Sequence, residues 1–300
     1  MPRFVSVGEC MVELAPLATE GQFAMGFAGD TFNTAWYARR CLAGDWTVDY
    51  VTALGTDPLS GRMVDFMADA GIGTGHVARL PGRTPGLYMI ELVKGERSFS
   101  YWRGQSAARE LAGDAAVLDA AFDGAGVVYF SGITLAILPP EDRTRFLAAV
   151  AAARGAGALV VFDPNLRPRL WPDTAMMCAR VMQAAAMADI ALPSHDDEAV
   201  HFGDADLAAT AARYAAAGVP LVVVKNGAGQ MLTLDRGQEA RHAPVQVSQV
   251  VDSTAAGDSF NAGFLAAHLA GEPLAAAVRR GAALAARVLG AKGALVAVQA

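Results

Sequence analysis

The run Val250-Val251-Asp252-Ser253-Thr254-Ala255-Ala256-Gly257-Asp258-Ser259-Phe260-Asn261-Ala262-Gly263-Phe264-Leu265 joins a strand-like entry, a loop of small residues and a helix-periodic tail. Phe260, Phe264, Leu265 and Leu269 keep helical spacing until Gly271 and Pro273 end the pattern. Ala255, Ala256 and Gly257 carry almost no side chain, so a ligand can come close to their backbone. The first N–H groups of a helix have no partner within it, and the helix dipole favours an anion at that end. Asp258 stands at the edge of such a site, where a carboxylate can take the proton of an attacking hydroxyl while amides hold phosphoryl oxygens. Spacing alone leaves a plainer reading open: an Asp complements the dipole of any helix, and Ser253 or Thr254 can be an ordinary cap. No Walker A pattern is present.

Further polar groups stand at comparable places. Gly29-Asp30-Thr31-Phe32-Asn33 opens a helical run, so Asp30 and Asn33 can either bond hydroxyls or cap the helix. Val222-Val223-Val224-Lys225-Asn226-Gly227-Ala228-Gly229 is a strand ending in a Gly-rich turn, which suits a nucleotide at a sheet edge or a simple hairpin. Tyr88, Tyr101, Arg103 and Arg167 are polar groups to which spacing alone assigns no role. The planar fork of arginine matches a carboxylate, and such charge-assisted bonds are about twice as strong as neutral ones. A surface ion pair for the arginines, and packing for the tyrosines, remain open alternatives. His195, Asp196 and Glu198 are too close along one helix to converge on a transition metal.

Elements must hold these groups in place. Short apolar runs at Phe4–Val7, Tyr50–Leu54, Val127–Ser131, Leu159–Phe162, Ile190–Leu192 and Leu221–Val224 read as strands. Helical runs at Thr31–Leu42, Ser60–Ala70, Glu141–Ala153 and Ala205–Ala217 separate several of them, and this alternation predicts a parallel sheet covered on both faces. Gly86–Val93 and Arg97–Arg103 break the pattern: two β-rich segments joined by Lys94-Gly95-Glu96 predict a hairpin. Two strands alone are marginal, so extended residues around Val12–Phe27 are expected to join them as a lid rather than as an extension of the main sheet.

Several segments then resemble one family. Asp252–Leu265 resembles the C-terminal DTxGAGD signature of ribokinase-like (PfkB) carbohydrate kinases, with Ala255 in place of the usual first glycine. Ala28-Gly29-Asp30-Thr31-Phe32-Asn33 resembles the N-terminal Gly-Gly signature, with Ala28 as the departure. Lys225-Asn226-Gly227-Ala228 keeps the core of the nucleotide-side loop, with the next glycine one place early at Gly229. Pro193-Ser194-His195-Asp196-Asp197-Glu198 lies where the family carries Asn-x-x-Glu, with His195 in place of the asparagine. The likeness covers nearly the whole chain. Within the family it is closest to the 2-keto-3-deoxygluconate kinases, on Tyr101-Trp102-Arg103 and Phe162-Asp163-Pro164-Asn165-Leu166-Arg167-Pro168-Arg169-Leu170-Trp171.

The resemblance implies one kinase domain over 1–300, a three-layer α/β/α sandwich with a mainly parallel sheet and a β lid from segments of about 12–28 and 84–104. It implies Asp258 as base, with the amides of Ala255, Ala256 and Gly257 as anion hole. Substrate contacts would be Gly29, Asp30, Asn33, Tyr88, Tyr101, Arg103 and Arg167. ATP with Mg2+ would meet Asn165, Ser194, Glu198, Lys225, Gly227, Ala228, Gly229, Ala255 and Gly257, and Arg167 could instead face its phosphates. Asp252 and Thr254 mark a candidate site for K+ or Na+. The expected reaction is phosphorylation of a sugar acid at its terminal hydroxyl. A kinase of fructose or another substrate, and a non-catalytic sugar-binding protein, are the competing readings.

Composition narrows the classes. The net charge is −6, and no basic run offers the footprint a nucleic-acid binder needs. Three widely spaced cysteines form no zinc or disulfide pattern, and no run of about 20 apolar residues suggests a membrane span. A cytoplasmic protein is expected, and apolar residues on both faces of the lid strands suggest a homo-oligomer through the lid.

Overall fold

The computed structural model describes residues 1–93 and 96–298, so the Lys94-Gly95 part of the hairpin link lies outside the described residues. The first third of the chain contains β1 (Arg3–Val7), β2 (Met11–Pro16), β3 (Phe23–Ala28), α1 (Asp30–Cys41), β4 (Thr47–Gly55), α2 (Pro58–Asp69), β5 (Val77–Leu80), β6 (Leu87–Val93) and β7 (Glu96–Trp102). The middle contains α3 (Ala115–Phe122), β8 (Val127–Ser131), α4 (Gly132–Ile137), α5 (Pro140–Gly155), β9 (Leu159–Asp163), α6 (Thr174–Ala185), β10 (Ile190–Ala191), α7 (His195–Phe202) and α8 (Leu207–Ala216). The last part contains β11 (Leu221–Val224), β12 (Met231–Asp235), β13 (Gln238–His242), α9 (Ala256–Leu269) and α10 (Leu274–Leu289).

One nine-stranded sheet runs in the order β13-β12-β11-β10-β9-β8-β1-β4-β5. It is parallel from β11 to β5, and β12 and β13 extend it as an antiparallel meander. The period-2 alternation of strand side chains divides the core into two layers. Val5, Val7, Val128, Phe130, Val160, Phe162, Val222 and Val224 face one layer, filled by Leu118, Phe146, Met177, Val181 and Tyr214 from α3, α5, α6 and α8. Phe4, Tyr50, Tyr129, Val161, Ile190 and Val223 face the other, filled by Phe32, Met63, Phe264 and Val278 from α1, α2, α9 and α10. Strands buried on both faces read as continuous apolar runs, which is why the sequence shows them so clearly.

The second sheet has the order β3-β2-β6-β7. The β6–β7 hairpin adds β2 in parallel through β6, and β3 pairs antiparallel with β2. One face carries Met11, Tyr88, Ile90 and Ala28, packed on Ala294. Phe27, on the opposite face, packs against Phe66 of α2 with ring centroids 5.4 Å apart. The strand run at Val222–Val224 ends in a hairpin: Val224 pairs with Leu232 across the turn that begins at Lys225.

Candidate active site

Asp163 closes β9, Lys225 follows β11 and Glu9 follows β1, so charged groups gather at the carboxyl ends of the parallel strands. Strands are added in opposite directions from β1, with β8 on one side and β4 on the other. Open α/β sheets bind ligands in the crevice at such a switch point. The starts of α1 and α9 flank this region, because Asn33 and Thr34 of α1 both bond Asp258 of α9.

Ala255 precedes α9 in the left-handed conformation (φ 60°, ψ 14°), and no side chain caps the helix. That backbone costs an L-residue roughly 1–2 kcal/mol, the physical reason a glycine suits this position. Contact with the cluster of Met11, Ala28 and Tyr88 partly offsets the cost of the Ala255 methyl. The small-residue loop thus leaves the helix amides without a side-chain acceptor. Gly257 is exposed, and a Cβ there would stand 3.7 Å from the Lys225 Nζ, so an ammonium group faces the same helix start.

Asp258 sits in the first turn, partly shielded from solvent, with its Oδ2 accepting from Asn33 Nδ2 at 2.8 Å. Burial pushes its carboxyl up to about 8; neighbouring Asp30 and Asp163 add to the rise, while Asn33 and Lys225 oppose it. Asp30 Oδ2 in turn accepts from Asn165 Nδ2 at 2.8 Å. Asn165 therefore joins the Asp30 side of the site, in a positive-φ conformation (35°) that Asn tolerates better than most residues. Gly29 is extended, so its conformation does not require glycine; instead, a Cβ there would overlap the Glu9 carbonyl oxygen.

Lys225 lies 3.4 Å from Asp163 Oδ2 and 3.1 Å from Asn261 Oδ1. Asn261 Nδ2 also donates to Asp163 at 2.7 Å and to the Tyr129 hydroxyl at 3.0 Å. Gly227 and Ala228 are exposed at the adjoining turn, where Gly229 N–H donates to the Asn226 carbonyl at 2.7 Å.

The arginines differ. Arg103 is ion-paired with buried Glu9, whereas Arg167 is half exposed and lies 3.7 Å from Asp197. Tyr88 is buried and donates to Glu13, and its ring centroid is 5.9 Å from that of half-exposed Tyr101. Glu198 is placed elsewhere: one oxygen accepts from Arg213 at 2.6 Å and the other from Tyr214 at 2.9 Å, inside the packing of α7 on α8. Burial pushes its carboxyl up to about 7 against those bonds. Its neighbour Asp197 is the acid on α7 whose charge is felt alongside Asp163, Lys225 and Arg167. Ser194 forms an isolated bridge with Lys225 and gives α7 no side-chain cap. Asp252 is buried, and its two oxygens accept from the amides of Thr254 (3.0 Å) and Gly293 (2.7 Å), tying the loop to the C-terminal segment.

An uncapped helix start, a carboxylate of raised pKa and a lysine at a strand end suit phosphoryl transfer to a hydroxyl. Residues 1–299 match the model of the pfkB family carbohydrate kinases. The chain belongs to this family. The 2-dehydro-3-deoxygluconokinase of Escherichia coli (strain K12) is 40% identical over 304 residues, covering 98% of this chain and 97% of that protein. The enzyme of the same name from Haemophilus influenzae is 38% identical over 304 residues, covering 99% and 96%. The fructokinase of Xylella fastidiosa, solved with bound ATP, superposes with a TM-score of 0.83 at 26% identity, covering 97% of this chain and 93% of that one.

In this carbohydrate kinase the structure adds residues that sequence reasoning passed over. Asn261 is three positions after Asp258 on α9, a spacing that shares a helix face, and that signal was available. Asp163, at the charged end of an apolar strand, was likewise legible as a strand-end acid. Glu9, Glu13 and Asp197 gave no local signal, because their partners lie 94, 75 and 30 residues away in Arg103, Tyr88 and Arg167.

Proposed function

We propose that this kinase phosphorylates 2-keto-3-deoxygluconate at its terminal 6-hydroxyl, with MgATP as donor and Asp258 as base. The observation that carries the chemistry is Asp258 at the uncapped start of α9, held by Asn33 and overlooked by Lys225. Asp258 takes the hydroxyl proton, the freed oxygen forms its bond to the γ-phosphorus, and the bond to the β-phosphate oxygen breaks to release ADP. Amides of Ala255, Ala256 and Gly257, with Lys225, hold the charge on the transferred group. Mg2+ usually takes one or two carboxylates plus substrate phosphates rather than a full protein cage. That fits Asp163 and Asp197 near Lys225 and the lack of any group of three metal-ligating side chains among the described residues. Bound there, the ion would neutralise phosphate charge. A monovalent cation beside Asp252 and Thr254 would draw on loop carbonyl oxygens and on the lone pairs that the two Asp252 oxygens keep beyond the amide protons they accept.

The similarity to the two 2-dehydro-3-deoxygluconokinase relatives supports the sugar acid, and Arg167 and Arg103 supply cations for its carboxylate. One observation favours a neutral sugar such as fructose instead: Glu9 already neutralises Arg103. Coupled ADP release with MgATP and a panel of 2-keto-3-deoxygluconate, 2-keto-3-deoxygalactonate, gluconate, fructose and ribose decides between them. The expected result is a kcat/KM for a 2-keto-3-deoxy acid at least about tenfold above any neutral sugar. Preference for fructose would overturn the acid and leave Asp258 in place, and silence on every sugar would overturn turnover itself.

The small sheet would act as the lid over the sugar, excluding water that competes as acceptor. One face exposes Phe23 (37%) and Met25 (37%) on the edge strand β3 and Trp102 (57%) on the opposite edge strand β7, apolar groups suited to a second copy of the chain. Sedimentation is expected to show a dimer or larger species that Trp102→Asp converts to monomer; a monomeric parent protein would end this part of the proposal.

A further inference from the structure

The chain passes between the two sheets four times, and all four crossings meet at one residue, Glu9, through its backbone or its side chain. Glu9 lies on the first crossing, between β1 and β2. Gly29 lies on the second, between β3 and α1, and its missing Cβ is what lets it seat against the Glu9 carbonyl. Gly86 lies on the third, just before β6, where a Cβ would come within 2.6 Å of Glu9 Oε1 and 3.2 Å of Arg103 Cβ. Arg103 lies on the fourth, just after β7, and is ion-paired with Glu9. The Glu9 and Arg103 side chains are only 1% and 11% exposed. Gly86 therefore clears the space in which an otherwise costly buried charge pair can form, and Gly29 lets the second crossing close on the Glu9 backbone. The pair is not saturated: Glu9 Oε1 and Arg103 Nε are buried without a hydrogen-bond partner.

We propose that Glu9 is a positioning residue for sugar phosphorylation, pinning Arg103 and the four crossings of the small sheet in the arrangement that receives the sugar. Glu9 does not touch the reacting atoms. It acts through Arg103 and through the seating of β2, β3 and β6, on the sugar side of the site rather than the nucleotide side. This rests on the sugar-acid kinase reading above.

Glu9→Gln keeps the shape and strands the Arg103 charge. The expected result is a sugar-acid KM raised by about tenfold or more, with kcat and the KM for ATP each within about threefold of the parent protein. Hydrogen exchange, which needs no substrate, is expected to quicken over β2, β3 and β6 while β8 and β9 keep their protection. An unchanged sugar-acid KM, both KM values rising together, or exchange quickening over β8 and β9 as well would each overturn the proposal. Should Glu9→Gln fail to fold, Glu9→Gln/Arg103→Met removes the stranded charge and is compared with Arg103→Met alone. If Glu9 acts through Arg103, the double variant has no higher a sugar-acid KM than Arg103→Met; additive losses overturn the proposal. A parent protein inactive on every sugar acid would sink the functional reading, whereas an active parent with an indifferent Glu9 variant would sink this inference alone.

Discussion

Asp258→Asn is expected to lower kcat by about a hundredfold or more while the KM for ATP and for the sugar stay within a few fold. The substitution keeps size and a hydrogen-bonding oxygen for Asn33 Nδ2, so the starts of α1 and α9 stay joined. Only the ability to hold the hydroxyl proton is lost. Turnover close to that of the parent protein would remove Asp258 as base. The same carboxyl is expected to set the pH response. With its pKa pushed up to about 8, Asp258 is largely protonated at neutral pH in the free protein, and a base must be ionised to work. The kcat/KM for the sugar is therefore expected to rise with pH to a plateau above about pH 8, and the Asp258→Asn protein lacks that step.

The stability consequence has the opposite sign. Between about pH 4 and pH 8 the folded chain keeps a proton on Asp258 that the unfolded chain has already released. Protons bound in excess by the folded state mean that stability falls as pH rises through this window, and below it both states are protonated. The neutral amide of the variant carries no such penalty. The Asp258→Asn protein is thus expected to melt above its parent at pH 8 and level with it near about pH 4, as read by scanning calorimetry. A variant less stable at both values would mean that the carboxylate is not strained by its burial.

Lys225→Met has the second large effect, on stability and nucleotide binding together. Asp163 is 4% exposed, and its Oδ2 has the ammonium at 3.4 Å and Asn261 Nδ2 at 2.7 Å. Removing one member of a buried pair strands the other charge, which costs about 3 kcal/mol even though Asn261 Nδ2 and the Asn165 amide still donate to Asp163. For a chain of this length that is a melting temperature lower by about 5 °C. The KM for ATP should rise by about tenfold or more, because the lost cation faces the start of α9. Lys225→Met/Asp163→Asn should recover most of the stability and none of the nucleotide affinity. Failure of the double variant to recover stability would show that the Asp163 charge is not what Lys225 compensates.

The elements legible in the sequence were those whose burial is two-sided or strictly periodic. Val127–Ser131, Leu159–Asp163 and Leu221–Val224 are wholly or almost wholly buried, and α9 ends close to the Gly271 that its spacing predicted. The strands β12 and β13 were not read, because Gln238–His242 is polar and mostly exposed and belongs to the sheet only through pairing with β12. The short β5 was missed for a similar reason: its burial pattern carries no alternation, and β4 supplies its ladder.

For the site, the sequence by itself pointed to Asp258 as the candidate base and to the loop of small residues that precedes it. A loop without bulk followed by an acid and a helix is a local pattern, and the chemistry of Asp258, Ala255, Ala256 and Gly257 depends on local backbone. Which charges neutralise one another was decided only by tertiary structure. Local spacing could not show that Arg103 is held by Glu9, that Glu198 is turned to Arg213 and Tyr214 while Asp197 shares the field of Lys225, or that Asn165 bonds Asp30. The physical reason is that Coulomb energy and desolvation depend on distance and burial in space. Four crossings between two sheets bring together residues that the chain itself keeps far apart.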